Sequence, residues 1–226
     1  VSETRTFLAS DALPGWFGKL PGMGDFAHRR MPEPMRERLD HWLQRGLLRL
    51  RDAHDDWTER YLAGPLWFFA LGSGLGGTNA WLGVLMPSVD GVGRYFPFIM
   101  AAECDVPLNE FTPAQSGAAW RWWRTCAQAA LEGLENDLDA GRFDSALLRV
   151  FDVADGRAVD EVADADRGAA MAWPADGQSL WLTDPVAEPG LRMTAIGLPT
   201  DARFDALFGF VSDEWVQRVK RVEAEP

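Results

Sequence analysis

Three continuous apolar runs constrain this chain most: Leu66 to Leu71, Ala80 to Met86 and Tyr95 to Ala102. Each has the length of a strand and reads as a buried one. Short glycine-rich connections join them, so antiparallel neighbours are expected. Met35, Leu39, Trp42, Leu43, Gly46, Leu47, Leu50 and Ala53 recur at the 3.6-residue period. That spacing predicts an amphipathic helix of roughly 20 residues with an arginine-rich polar face. Thr112-Pro-Ala-Gln115 is a capping box with proline at the first helical position. It opens a long helix with Trp122, Cys126, Ala130, Leu134 and Leu138 on one stripe. Phe143 to Phe151 reads as a second, shorter helix. Residues 14–20 read as a short strand, as do Leu180 to Leu182 and Leu191 to Ile196. Thr200-Asp201 and Ser212-Asp213-Glu214 look like helix starts, with acids at the positive end of the dipole.

Strands interleaved with helices predict an α/β protein: a three-layer α/β/α sandwich with a mixed, largely antiparallel sheet. One domain over residues 1–226 is expected, with a sub-boundary near 110 or 155 as the alternative. The acidic, alanine-rich stretch from 152 to 170 is the best loop or hinge candidate.

Composition narrows the function. The apolar share is 47% and the charged share 25%, which fits a globular chain. A net charge of −12 argues against nucleic acid or an anionic membrane as the main partner. The charge is uneven. Residues 28–51 hold seven arginines against three acids, and residues 150–166 hold six acids against Arg157 alone. Such a dipole is either two solvated faces or a device that steers a protein partner. No apolar run reaches the ~18 residues of a membrane span, so no insertion is expected. Cys104 and Cys126 form no disulfide framework. The first residues lack the basic start and apolar run of a signal peptide, which makes the cytoplasm the expected address.

Several chemical motifs fail on their neighbours. Gly72-Ser-Gly-Leu-Gly-Gly77 contains G-x-G-x-x-G after a strand, but a strand-like run follows where a dinucleotide site needs a helix. A hairpin loop is the expected reading. Gly18-Lys19 resembles the end of a phosphate loop, yet Leu13 and Leu20 stand where glycine and Ser or Thr are required. Lys19 is one of only two lysines among 22 basic residues, and an ion pair with nearby Asp25 is the simple expectation. His28, His41 and His54 have neither metal-ligand spacing nor a nucleophile beside them. Ser88 and Asp90 lie in no nucleophile elbow. Asp90 is expected to bond its own turn, and Arg94 to pair with Asp90 or cap carbonyls. Trp120, Trp122 and Trp123 point ~100° apart on a helix, so not all can face one core; core is the default reading, with at least one meeting another layer or standing exposed as an anchor. No catalytic residue, metal or cofactor is assigned.

Two glycine-framed blocks remain: Gly15-Trp-Phe-Gly-Lys-Leu-Pro-Gly-Met-Gly-Asp-Phe26 and Leu85-Met-Pro-Ser-Val-Asp-Gly-Val-Gly-Arg-Tyr-Phe-Pro97. With Arg29-Arg30 and Leu66-Trp67-Phe68, these blocks resemble the type VI secretion-associated TagF (ImpM) family in order and spacing. The likeness is close over residues 14 to 105 and looser beyond. It implies a cytoplasmic accessory protein that represses type VI secretion after translation by binding an FHA-domain scaffold protein. Some relatives carry a fused PP2C-type phosphatase domain. The acidic metal motifs of that domain are missing from this sequence, so no phosphatase activity is expected. Polar residues in the glycine-framed loops are poorly explained by packing, and Lys19, Asp25, Arg29, Asp90, Arg94 and Tyr95 are the candidate contact residues. The alternative is a small-ligand sensor or enzyme using the 15–30 and 87–97 loops.

Overall fold

A computed structural model describes residues 13–155, 171–183 and 190–210. Among these residues seven strands form one sheet: β1 (Gly15–Gly18), β2 (Ala27–Arg29), β3 (Trp67–Leu71), β4 (Trp81–Met86), β5 (Phe98–Glu103), β6 (Gln178–Leu182) and β7 (Arg192–Ile196). Their order is β2-β1-β5-β4-β3-β6-β7, and every pairing of named strands is antiparallel. Among the described residues the parallel contribution is a single isolated bridge between Trp16 and Arg30.

The three apolar runs make the centre of the sheet, with β4 between β3 and β5. They carry no polar alternation because both faces are covered. Along β3, Phe68 and Ala70 enter one apolar cluster while Trp67, Phe69 and Leu71 enter the other. Helices α1 (Glu33–Ala53) and α2 (Trp57–Leu62), with the later α5 (Asp201–Leu207), cover one face. Helices α3 (Pro113–Glu135) and α4 (Ala140–Asp155) cover the other. The result is the three-layer α/β/α sandwich that the strand and helix patterns predict.

Local signals explain the elements. Helix α1 buries Met35, Leu39, Trp42, Leu43 and Leu50, and its stripe contains Gly46 because the Phe204 ring lies against that glycine. The capping box of α3 forms in full. Gln115 N–H donates to Thr112 Oγ1 at 3.2 Å, and Thr112 N–H donates to Gln115 Oε1 at 3.0 Å. The helix ends at Glu135, so Leu138 packs from the turn that follows it.

Two details qualify the sequence expectation. Trp120, Trp122 and Trp123 are core, as the default reading has it, but all three share one cluster and none stands exposed as an anchor. Helix α3 is enclosed by the sheet, by α4 and by Trp173, whose ring lies 5.6 Å from Trp123, so a wide arc of the helix is apolar. The short strand β2 and helix α2 have too few residues to show a period, and the sequence gives no sign of them. The glycine motif at 72–77 is a connection between antiparallel strands, with Leu71 opposite Trp81. A strand follows it, so the dinucleotide geometry is absent. The expected helix start at 212–214 and the stretch 156–170 lie outside the described residues.

Candidate functional site

The two glycine-framed loops meet beside the end of β1. The first runs from Lys19 to Phe26, between β1 and β2. The second runs from Pro87 to Pro97, between β4 and β5. One main-chain bond and one side-chain bond stitch them together: Gly91 N–H donates to Met23 O at 2.7 Å, and Ser88 Oγ donates to Lys19 O at 2.7 Å. A Cβ at Gly91 would sit 2.9 Å from Pro21 O, so glycine is what lets the loops approach. Tyr61 anchors the second loop from α2. Its hydroxyl donates to Ser88 O and accepts from Ser88 N–H, both at 3.0 Å.

Asp90 is the hub. Its Oδ2 accepts from Lys19 Nζ at 2.6 Å and from Arg94 Nε at 2.8 Å. Its Oδ1 accepts from the backbone N–H groups of Arg94 at 2.9 Å and Val92 at 3.1 Å. Burial opposes ionisation of Asp90, but the hydrogen bonds from Lys19 and Arg94 outweigh it and hold the carboxyl well below the usual carboxylate range. Both Lys19 and Asp90 are buried. Asp25, the expected partner of Lys19, instead accepts from the Phe26 N–H at 2.8 Å and lies 4.0 Å from Arg94. Lys19 chooses Asp90 because that carboxylate sits in the desolvated interior, where attraction is strongest. Asp25 stands in solvent.

Around this hub lies an exposed rim. Arg94 also donates to the Gly24 carbonyl, yet its side chain remains half exposed. Phe26 is 48% exposed and Val92 68%. Lys19 Nζ sits 5.0 Å from the Phe26 ring centroid, and that ring packs edge-on against Phe96 at 4.8 Å. Tyr95 is turned the other way, into a ring cluster with Trp57 at 5.4 Å and Tyr61 at 5.8 Å.

Arg29 belongs to a second centre. It donates to Asp144 Oδ2 at 3.0 Å, from β2 to α4. Asp144 also accepts from Trp16 Nε1 at 3.2 Å and from both terminal nitrogens of Arg30. Arg30 holds a left-handed backbone with φ of 55°, which turns its guanidinium back toward Asp144 and the Pro14 carbonyl. The hydrogen bond from Arg30 is the main reason the Asp144 carboxyl is lowered, against a smaller effect of burial. Thus Lys19, Asp25, Asp90 and Arg94 are brought together, Tyr95 flanks them, and Arg29 is not part of the group. Phe26 and Val92, the apolar part of the rim, were not among the candidates. An apolar residue inside a turn-rich block is the one signal for them.

Fold and rim together define a three-layer α/β protein in which two loops form a preassembled surface. A family described as "TagF N-terminal domain, Type VI secretion system-associated" matches residues 15–150, and the chain belongs to that family. The crystal structure of PA0076 from Pseudomonas aeruginosa PAO1 is similar in fold, with a TM-score of 0.66 and 28% identity. The match covers 88% of this chain and 96% of that one. A comparison with curated protein sequences gave no match. No helix among the described residues is long and apolar enough to cross a membrane.

Proposed function

We propose that this protein represses type VI secretion after translation by binding an FHA-domain scaffold protein in the cytoplasm, without catalysis. Family membership supports the secretion system as its setting. The observation that carries the binding surface is the buried Lys19–Asp90 pair, which locks the two family-signature loops into one exposed rim.

The rim has the make-up of a protein-binding surface. Phe26 and Val92 supply apolar area, and Arg94 and Asp25 surround it with charge. Arginine and aromatic side chains dominate binding energy at such contacts, and a preformed loop loses little entropy on docking. Lys19 and Asp90 act beneath the surface by fixing the rim. Arg29 lies on β2, beyond the paired loops, and is the outer member of the proposed contact set. Repression follows from sequestration: scaffold held on this face is kept from the assembling machine.

Calorimetric titration into the purified FHA-domain scaffold of the same secretion cluster tests this reading. Saturable binding at micromolar strength or tighter is expected, with Phe26→Ala and Arg94→Ala each weakening it at least tenfold. Absence of binding between two folded proteins overturns the proposal.

A further inference from the structure

The two edges of the sheet are built differently. Edge strand β2 has three residues, carries Arg29 and is tied to α4 through Asp144. Shortness and charge discourage a further strand from adding there. Edge strand β7 is two residues longer, and its single charge, Arg192, stands at its first position, where it donates to the Ala172 carbonyl at 3.3 Å. Its ladder with β6 is fixed at both ends by Thr183 N–H to Leu191 O at 3.0 Å and Gly197 N–H to Gly177 O at 2.8 Å. Residues of an antiparallel strand turn their main-chain groups alternately to either side. Leu191, Met193, Ala195 and Gly197 therefore face β6, and Arg192, Thr194 and Ile196 turn their N–H and C=O groups outward. Among the described residues no main-chain group meets theirs. Met193 and Ala195 are buried, whereas Thr194 is exposed and Ile196 is 90% exposed.

We propose that β7 pairs antiparallel with β7 of a second copy of this chain, about a two-fold axis beside Thr194. The register is self-complementary. Thr194 lies opposite Thr194 of the second copy, a favourable cross-strand pair. Arg192 lies opposite Ile196 in both directions, so its aliphatic stem covers the exposed isoleucine while its charge reaches water. No like charges face each other, and each outward residue exchanges both main-chain bonds. The contact is isologous, uses up both open edges and closes at two copies. The net charge of −12 on each copy opposes approach at long range, whereas Arg192 is the sole charge on the strand itself. Added salt should therefore strengthen the dimer by screening.

Sedimentation of the full chain across low micromolar to near-millimolar concentration tests the proposal. Reversible passage from one-chain to two-chain mass is expected, with tighter association at higher salt. Ile196→Lys puts a cation opposite Arg192 and should leave a monomer. Ile196→Glu puts a carboxylate there and should hold or tighten the dimer several-fold, an outcome a merely greasy contact would not give. Thr194→Pro removes an outward N–H, a change an edge strand tolerates, and should also give a monomer. Circular dichroism establishes that each variant is folded, and the Ile196 pair decides if Thr194→Pro is not. A wild-type monomer at high concentration and salt overturns the proposal. So does a dimer that Ile196→Lys and Ile196→Glu affect alike.

Discussion

Lys19 and Asp90 stand 71 positions apart in sequence, yet their charged atoms meet at 2.6 Å with both side chains nearly sealed from solvent. The pair is asymmetric. Without Lys19, Asp90 keeps Arg94 and two backbone donors. Without Asp90, Lys19 is a buried cation that has lost its carboxylate. Asp90→Ala should therefore destabilise the fold by about 3–5 kcal/mol, the cost of stranding one partner of a buried pair, and Lys19→Met by clearly less. Urea unfolding of both variants and the double mutant measures this. The double mutant should be more stable than the sum of single effects implies, because one side chain no longer strands the other. Equal losses for the two single variants would contradict the asymmetry.

The same pair sets an acid response. The folded-state pKa of Asp90 lies below its unfolded value, so the native state binds fewer protons. Its contribution is fully present above the unfolded Asp value of about 3.9 and is lost as pH falls through that value toward the folded one. Asp144 adds to the response in the same direction. Urea midpoints at a series of pH values from neutral down to strongly acidic should fall for the wild type below pH ~4. Asp90→Asn should start lower at neutral pH and fall less steeply on acidification. A parallel fall would mean that Asp90 does not titrate between the two states.

The frame of the protein was readable because its signals are local or periodic. The apolar runs of β3, β4 and β5, the stripe of α1 and the box at Thr112 each act within one element. The site was readable only as two loops. The partner of Lys19 was expected at Asp25, six positions away, since sequence shows proximity along the chain and hides proximity across the sheet. Burial decided for Asp90, and burial of a polar side chain is a property of the assembled fold. That the three tryptophans of α3 share one core was hidden for the same reason: how many sides of a helix are covered depends on α4 and Trp173, which no period in α3 records. Arg29 likewise sits beside Arg30 in sequence and serves a carboxylate on α4.

That second centre gives a graded prediction. Asp144 gathers Trp16, Arg29 and Arg30, and its side chain is only 12% exposed. Asp144→Ala leaves the buried Trp16 N–H without its acceptor, takes the carboxylate from Arg29 and leaves Arg30 only the Pro14 carbonyl, and should cost about 3 kcal/mol, at the low end for a broken buried pair. The Arg29 side chain is 47% exposed, so Arg29→Ala should cost under about 1 kcal/mol. Thermal unfolding of the two variants checks the ranking. Should Arg29→Ala prove as costly as Asp144→Ala, the arginine would be a structural element and a poor candidate for partner contact.

Gly46 offers a contest between two effects of opposite sign. In an exposed helix interior, replacing glycine by alanine stabilises by about 1 kcal/mol, because glycine loses more backbone entropy on folding. At Gly46 the added Cβ would fall within the ring of Phe204, which also packs edge-on against Trp42 at 5.4 Å. Phe204 sits on α5, itself held to α1 by Arg49 through Asp205 and by the bond from Trp42 Nε1 to Pro199 O at 2.7 Å. The ring is buried, so it can yield only by moving α5 off the sheet. Overpacking of this kind costs about 1–3 kcal/mol and outweighs the helix gain. Gly46→Ala should lower the unfolding midpoint, and hydrogen exchange should show α5 opening before the central strands. A midpoint that rises would show that α5 gives way freely, and that its contact with α1 contributes little to the fold.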